Sequence, residues 1–312
     1  MPLPTNIGAY TQMSKQLPTA AFDQIVADFH GRIGFYIEDL TTGITHEYNA
    51  DQRFPTASVC KVPVMIELFR QVDTSTLSLD ERHRLQGNIS THGSGTLKLM
   101  EDGPELTLRD YCRLMISISD NMATDFLLGV VGLESVNATL DAMGFPNTRT
   151  SVTLGRYHYR MFGMDDVPCT RENDVLQHKR AETHGTDFNS VSFQDSLENN
   201  VATPRDMGSI LKQLHAGQVV SPQASAAMIE MLKMCNDRRM IPRDLKPDIP
   251  TAHKIGSSGR IKGDVGLVSL PTGPLVVSAF ALAGDDGVRG DEAIAEISRL
   301  AVETLSPDSI AQ

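Results

Sequence analysis

Residues 58–72, SVCKVPVMIELFRQV, put apolar side chains around most of the circumference of a helix. Such a helix has to be wrapped by other elements on nearly every side, so it marks the centre of a domain and not its surface. The chain has 312 residues, enough to supply that wrapping from one large core or two modest ones. Pro63 falls in the early turns, where a missing N–H is tolerated.

The flanking segments show what wraps it. After a loose, Pro-containing start, Ala20 to His30 reads as an amphipathic helix through Phe22, Ile25, Val26 and Phe29, with Gly31 as its stop. Arg32 to Asp39 and Ile44 to Tyr48 are β-rich, imperfectly alternating runs joined by the turn signal Thr41-Thr42-Gly43. Helical periodicity covers Leu106 to Ile118, Met122 to Leu128 and Leu133 to Met143, the last closed by Gly144. Between Gly155 and Asn200 the chain is polar, carries charges of both signs and holds neither period for long, which reads as a long loop or lid. Thr203 N-caps a helix starting at Pro204, and another runs from about Pro222 to Cys235. Thr251 to Gly256, Asp264 to Leu270 and Leu275 to Ala283 are short apolar runs bounded by Gly and Pro, as in an antiparallel meander, and Asp291 to Leu305 is a final amphipathic helix.

Two strands before the helical stretch and three after it predict an α/β chain of the α+β type. Its expected form is one five-stranded antiparallel sheet with N- and C-terminal helices, built from residues 1–52 and 237–312. An all-helical domain, 53–236, is inserted and carries the lid-like loop at about 155–200.

Composition narrows the function classes. A net charge of −11 with no local reversal by Lys or Arg makes nucleic acid an unexpected partner. No stretch approaches the ~20 apolar residues that span a bilayer, and the start has no basic segment leading into an apolar run, so a cytoplasmic protein without membrane contact is expected. Cys60, Cys112, Cys169 and Cys235 are widely spaced, which predicts reduced thiols and neither disulfide, metal nor cofactor.

Three short patterns can carry chemistry. Ser58 and Lys61 stand three apart at the opening of the buried helix, so they share a face. A lysine kept neutral by burial and nearby positive charge can take the proton of a serine hydroxyl, and the helix N-terminus offers a backbone N–H to a developing oxyanion. Ser119-Asp120-Asn121 lies between helical segments, where such residues serve equally as caps and turn formers or as a proton relay and an amide anchor. Lys254-Ile255-Gly256 sits in a strand, where a solvated edge lysine is the alternative reading.

Taken in order, SxxK opening a buried helix, SDN between helices and KxG on a late strand make a trio shared by class A β-lactamases and penicillin-binding proteins. The chain resembles class A β-lactamases and their serine-hydrolase relatives over nearly its whole length. FPTASVCKVPVMIELFRQV, GSGTLKLMEDGPELTLRDYCRLMISISDNMATDFLLGVVG, ATPRDMGSILKQL and GDVGLVSLPTGPLVVSAFALAG carry the likeness beyond the triplets. The resemblance implies Ser58 as nucleophile, Lys61 as its base, Ser119 as proton relay, Asn121 as anchor of a substrate amide and Lys254 as a positive charge beside Ser119. It implies an oxyanion hole from the N–H groups of Ser58 and Ser257, and a bracing role for Asp120.

Three departures qualify it. The family's ExxLN-type segment, source of the deacylating glutamate, is not found between Gly155 and Pro204; Asp165, Asp166 and Glu198 remain as groups that could position water or simply sit in solvent. Ile255 replaces the Thr or Ser of KTG, whose hydroxyl helps bind a substrate carboxylate; a buried hydrogen bond to a charged group is worth ~1.5–3 kcal/mol, leaving Arg260 or Lys262 as possible substitutes or as ordinary strand-end charges. Cys112 occupies one position of a disulfide found in some members, but its partner position is Met65, so no bridge forms there. The expected activity is a serine hydrolase that cleaves a small-molecule ester, lactone, amide or lactam through a Ser58 acyl-enzyme. The alternatives are true β-lactamase turnover or a catalytically silent binding protein with this fold, and the oligomeric state stays open.

Overall fold

The strands expected at the two ends of the chain meet in one antiparallel sheet in the computed structural model, which describes residues 17–85, 88–100, 103–284 and 289–311. The loose start expected before residue 17 lies outside the described residues. In chain order the elements are α1 (Thr19–Asp28), β1 (Gly31–Asp39), β2 (Thr45–Tyr48), β3 (Phe54–Pro55), α2 (Lys61–Asp73), β4 (Arg82–Arg84), β5 (Glu105–Thr107), α3 (Leu108–Ser117), α4 (Asn121–Val131) and α5 (Leu133–Ala142). They continue with α6 (Leu154–Arg160), α7 (Asp174–His184), β6 (Val201–Ala202), α8 (Pro204–His215), α9 (Pro222–Leu232), β7 (Thr251–Ser258), β8 (Ile261–Leu270), β9 (Gly273–Ala283) and α10 (Gly290–Leu305). The main sheet runs β2-β1-β9-β8-β7, so β7 is an edge strand. The pairs β3–β6 and β4–β5 add two short ladders that the sequence does not announce.

Both faces of the sheet are covered, which is why alternation in the strands is imperfect. Ile33, Phe35 and Ile37 of β1 and Val277 and Ala279 of β9 join Phe22 of α1 and Ile294, Ile297 and Ala301 of α10 in one core. Tyr36, Val276, Phe280 and Val265 face the other way, into a core shared with α2, α3, α4 and α8. At about 1.5–3 kcal/mol for each large apolar side chain fully buried, these two layers dominate the favourable side of folding. The helix read as buried on nearly every side is so: every residue from Lys61 to Phe69 is buried.

Local signals set the ends. Thr203 Oγ1 accepts from the Asp206 N–H ahead of Pro204, as expected of an N-cap. The helix expected over Met122 to Leu128 continues through Gly129 to Val131 and ends at Gly132, whose φ of +85° suits a residue without Cβ.

The stretch from Gly155 to Asn200 is not a long loop. It contains most of α6, all of α7 and a 3-10 turn at Val191–Phe193. α7 escapes periodicity because a carboxylate anchors it, with no apolar stripe. Buried Asp174 accepts from Ser90 Oγ and Tyr159 Oη at 2.8 Å each, and from the N–H and hydroxyl of Thr91 at 2.7 Å each.

Candidate active site

Ser58 lies in a 3-10 turn, Ala57–Cys60, that leads directly into α2. Pro63 has no N–H to offer the Val59 carbonyl, so the α-ladder cannot extend back through this point; the Lys61 N–H is shared between Ser58 O and Val59 O instead. Ala57 takes a φ of +43° and Ser119 one of +58°. Such conformations cost roughly 1–3 kcal/mol each, and here they frame one cleft. The cleft, about 140 Å³, is lined by Ser58, Ser119, Lys254 and Ser257 together with Arg239 and Cys235.

Lys61 and Asn121 stand behind Ser119, both buried. Lys61 Nζ donates to Ser119 O and to Asn121 Oδ1, each at 2.7 Å, and lies 2.9 Å from Ser119 Oγ. Lys254 Nζ approaches the same hydroxyl at 3.1 Å and donates to Ile255 O at 2.8 Å. Among the described residues, all the hydrogen bonds of the two lysines are thus to uncharged oxygens. Burial, followed by the charge of Lys254, holds Lys61 well below the ordinary lysine range; burial likewise lowers Lys254. A neutral Lys61 keeps all three of its contacts by donating two N–H bonds to the carbonyl oxygens and accepting from the hydroxyl, which can serve as donor or acceptor.

Asp120 braces the loop. Its Oδ1 caps α4 through the Ala123 N–H at 3.0 Å, and its Oδ2 accepts from Thr96 N at 2.7 Å and Leu97 N at 2.9 Å. The tripeptide Gly93-Ser94-Gly95, a turn signal not singled out as functional in the sequence, makes this possible. A Cβ on Gly93 would meet Asn121 Nδ2 at 2.1 Å, and one on Gly95 would meet Asp120 Cγ at 2.2 Å. Asn121 is fully engaged within the chain. Its Nδ2 donates to His92 O at 3.1 Å and lies 3.2 Å from His158 Nε2, and burial pushes His158 down to about 3, leaving that ring neutral and able to accept. Anchoring a substrate amide on Asn121 therefore requires one of these bonds to be exchanged.

Gly256 explains the last residue of KxG. A Cβ there would lie 2.3 Å from Thr56 O and 3.0 Å from Val59 N, both backbone atoms of the nucleophile turn. Gly256→Ala should push β7 away from Ser58, cost about 1–3 kcal/mol of stability and lower kcat/KM by about 10²-fold. Thermal melting beside steady-state kinetics checks both, and unchanged kinetics would mean that the close approach has no catalytic consequence.

The remaining expectations separate cleanly. Asp165, Asp166 and Glu198 are exposed and none lines the cleft; Asp165 pairs with Arg160 at 3.4 Å. Arg260 stacks on Phe188 at 3.9 Å and Lys262 Nζ donates to Gly259 O at 2.8 Å, so neither cation stands in the cleft. Arg239, which no pattern in the chain marks out, does. The Ile255 side chain packs into the core shared with α1 and α10. All four cysteines are free, Cys112 included. No helix among the described residues is long and apolar enough to cross a membrane, and no group of three or more His, Cys, Asp or Glu is arranged to hold a metal ion.

Two buried amines converging on one hydroxyl, beside a second serine at the mouth of a cleft, suit proton transfer to and from oxygen, the task of a serine hydrolase. Residues 17–305 match the Beta-lactamase enzyme family, and the chain belongs to it. It is 24% identical over 275 residues to β-lactamase VEB-1 of Pseudomonas aeruginosa, covering 84% of this chain and 81% of that protein. The figure is again 24%, over 287 residues, for β-lactamase SME-1 of Serratia marcescens, with coverage of 89% and 85%. The crystal structure of a β-lactamase from Sphaerobacter thermophilus is similar with a TM-score of 0.76 at 29% identity, covering 94% of this chain and 98% of that one.

Proposed function

We propose that this serine hydrolase opens a β-lactam, or cleaves a related ester, lactone or amide, through an acyl-enzyme on Ser58, and releases the product slowly. The observation that carries the reading is the placement of Ser119 Oγ between Lys61 Nζ and Lys254 Nζ, at 2.9 and 3.1 Å, on the cleft that Ser58 also lines. When the Ser119 hydroxyl turns its hydrogen away from Lys61, the lone pair of the neutral amine is free to take the Ser58 proton as Oγ attacks the carbonyl carbon. The N–H groups of Ser58 and Ser257 receive the developing oxyanion. The proton passes through Ser119 to the leaving nitrogen or oxygen as its bond to the acyl carbon breaks, and Lys254 steadies that hydroxyl. Relatives named β-lactamases support a lactam substrate.

Slow release follows from what lines the cleft. Among the described residues its one carboxylate, Asp237, is tied up by Arg239 in bonds of 2.7–3.1 Å, and Asp165, Asp166 and Glu198 do not line it. A chromogenic cephalosporin in excess should give a burst of about one product per enzyme, with the matching mass increase on the Ser58 peptide, before a slow steady state. Full-speed turnover from the first cycle would refute slow release, and a folded protein with neither burst nor adduct would refute the lactam reading.

A further inference from the structure

Every hydrogen-bonding position of the Asn121 carboxamide is occupied within the chain. Its Oδ1 accepts from Lys61 Nζ at 2.7 Å and from Ser94 Oγ at 3.4 Å, while its Nδ2 has His92 O at 3.1 Å and His158 Nε2 at 3.2 Å. The two partners of Nδ2 differ in kind. His92 O is backbone, in a loop pinned to buried Asp174 through the N–H and hydroxyl of Thr91. A carbonyl only accepts, so it fixes Nδ2 as the donor; His158 Nε2 must then accept the second N–H, which puts the ring's own hydrogen on Nδ1. The fold delivers His158 to this place. Asn121 and Asp125 stand one turn apart on α4, and Leu154 and His158 one turn apart on α6. Asp125 accepts from the Leu154 N–H at 2.6 Å and the Gly155 N–H at 2.8 Å, which sets the following turn, and His158 with it, against Asn121. Exposed Gly93 covers the contact, and a Cβ there would meet Asn121 Nδ2 at 2.1 Å and His158 Nε2 at 2.9 Å.

We propose that His158 is a positioning residue that sets acyl-group specificity: by holding the second N–H of Asn121, it makes the Ser58 cleft favour acyl groups with no amide carbonyl beside the scissile bond. The inference rests on the acyl-enzyme reading of Ser58. Ser94 and Ser119, which flank Asn121, both line the cleft, so an amide carbonyl leaning on this wall competes for the Asn121 N–H. His92 O cannot swing aside, because its loop is tied to Asp174. The bond that yields is the one to His158, and its Nε2 is then a half-buried acceptor without a donor. Leaving such an acceptor unpaired weakens the amide-bearing substrate about tenfold or more. Protonation offers no way out. Burial, followed by His92, Lys61 and Lys98, pushes His158 down to about 3, so the ring stays neutral and accepting at neutral pH.

The probes are two pairs of acyl compounds that differ in the side-chain amide: 6-aminopenicillanic acid with its phenylacetyl amide, and p-nitrophenyl propanoate with p-nitrophenyl N-acetylglycinate. Acylation of Ser58 in the full chain is followed by intact mass, and the rate with the amide is divided by the rate without it. Comparing that ratio between proteins cancels intrinsic reactivity. His158→Leu removes the acceptor and frees the N–H, so the ratio should rise about tenfold or more. His158→Gln, whose Oε1 reaches the same place, should keep it within about threefold of the wild type. A purely structural defect would move both rates together and leave the ratio alone. A second measurement needs no substrate: nitrogen-15 spectra of the assigned His158 ring in the wild type should show a neutral imidazole with its hydrogen on Nδ1. A ratio that does not rise in folded His158→Leu, or a hydrogen on Nε2, would overturn the proposal, and the ring spectrum decides even if the variants fail to fold. No adduct on Ser58 from any of these compounds would overturn the acyl-enzyme reading and this specificity with it, a failure told apart from the others because the tautomer is read without acylation.

Discussion

Ser58→Ala is expected to lower kcat for any hydrolysed acyl compound by about 10⁴-fold or more and to abolish the covalent adduct. The nucleophile supplies the bond that every later step acts on, so the lysines, Ser119 and the oxyanion donors cannot compensate through acyl transfer. Their contribution to a direct attack by water is what survives, as residual catalysis. Stability should hardly change. Ser58 is half-buried in its 3-10 turn, and loss of one hydroxyl at such a position is normally worth within about 0.5 kcal/mol. Intact mass after exposure to a fluorophosphonate, together with a thermal melt, separates chemistry from folding. An adduct of equal yield in the variant would move the nucleophile elsewhere, and Cys235 in the same cleft would be the first peptide to inspect.

What the sequence shows of this site depends on how each contact is set. Ser58 with Lys61, and Ser119 with Asp120 and Asn121, are fixed by separations within one turn, so their proximity is legible from spacing. Lys254 became legible only through the resemblance, because the fold brings it to Ser119 from 135 residues away in the chain. His253 and Asp264 meet across two neighbouring strands, at 3.0 Å, held by the register that sets His253 opposite Gly266 and Ile255 opposite Asp264. No local pattern encodes that. Arg239 was hidden in the same way, while Arg260 and Lys262, nearer in sequence to the KxG triplet, are drawn off by Phe188 and by Gly259 O. α7 was invisible for another reason. Periodicity detects helices through apolar stripes, and this one is secured by hydrogen bonds to a buried carboxylate, Asp174. The sheet itself was legible from turn residues and β-rich runs, even though burial on both faces erased the alternation expected of a half-buried strand.

Lys61→Met should slow acylation of Ser58 by about 10²- to 10⁴-fold, the usual worth of a positioned general base, while keeping a straight side chain inside the buried helix. Its sharper signature is in pH. Because burial and Lys254 hold Lys61 below its value in the unfolded chain, the wild-type acylation rate should rise with pH as the amine is deprotonated, and the variant should lose that limb. Between the folded and unfolded values the unfolded chain carries a proton that the folded one lacks. Unfolding then takes up a proton, so this group makes stability rise with pH across that window, and methionine removes the slope. Against the relief of burying no amine stands the loss of a donor to Ser119 O and Asn121 Oδ1, each about 1–3 kcal/mol if left unpaired. The stability of the wild type relative to Lys61→Met should therefore grow as pH rises. Denaturant unfolding of both proteins at a low and a high pH measures that difference. If it is the same at both, Lys61 is titrating as an ordinary ammonium and does not serve as the base for Ser58.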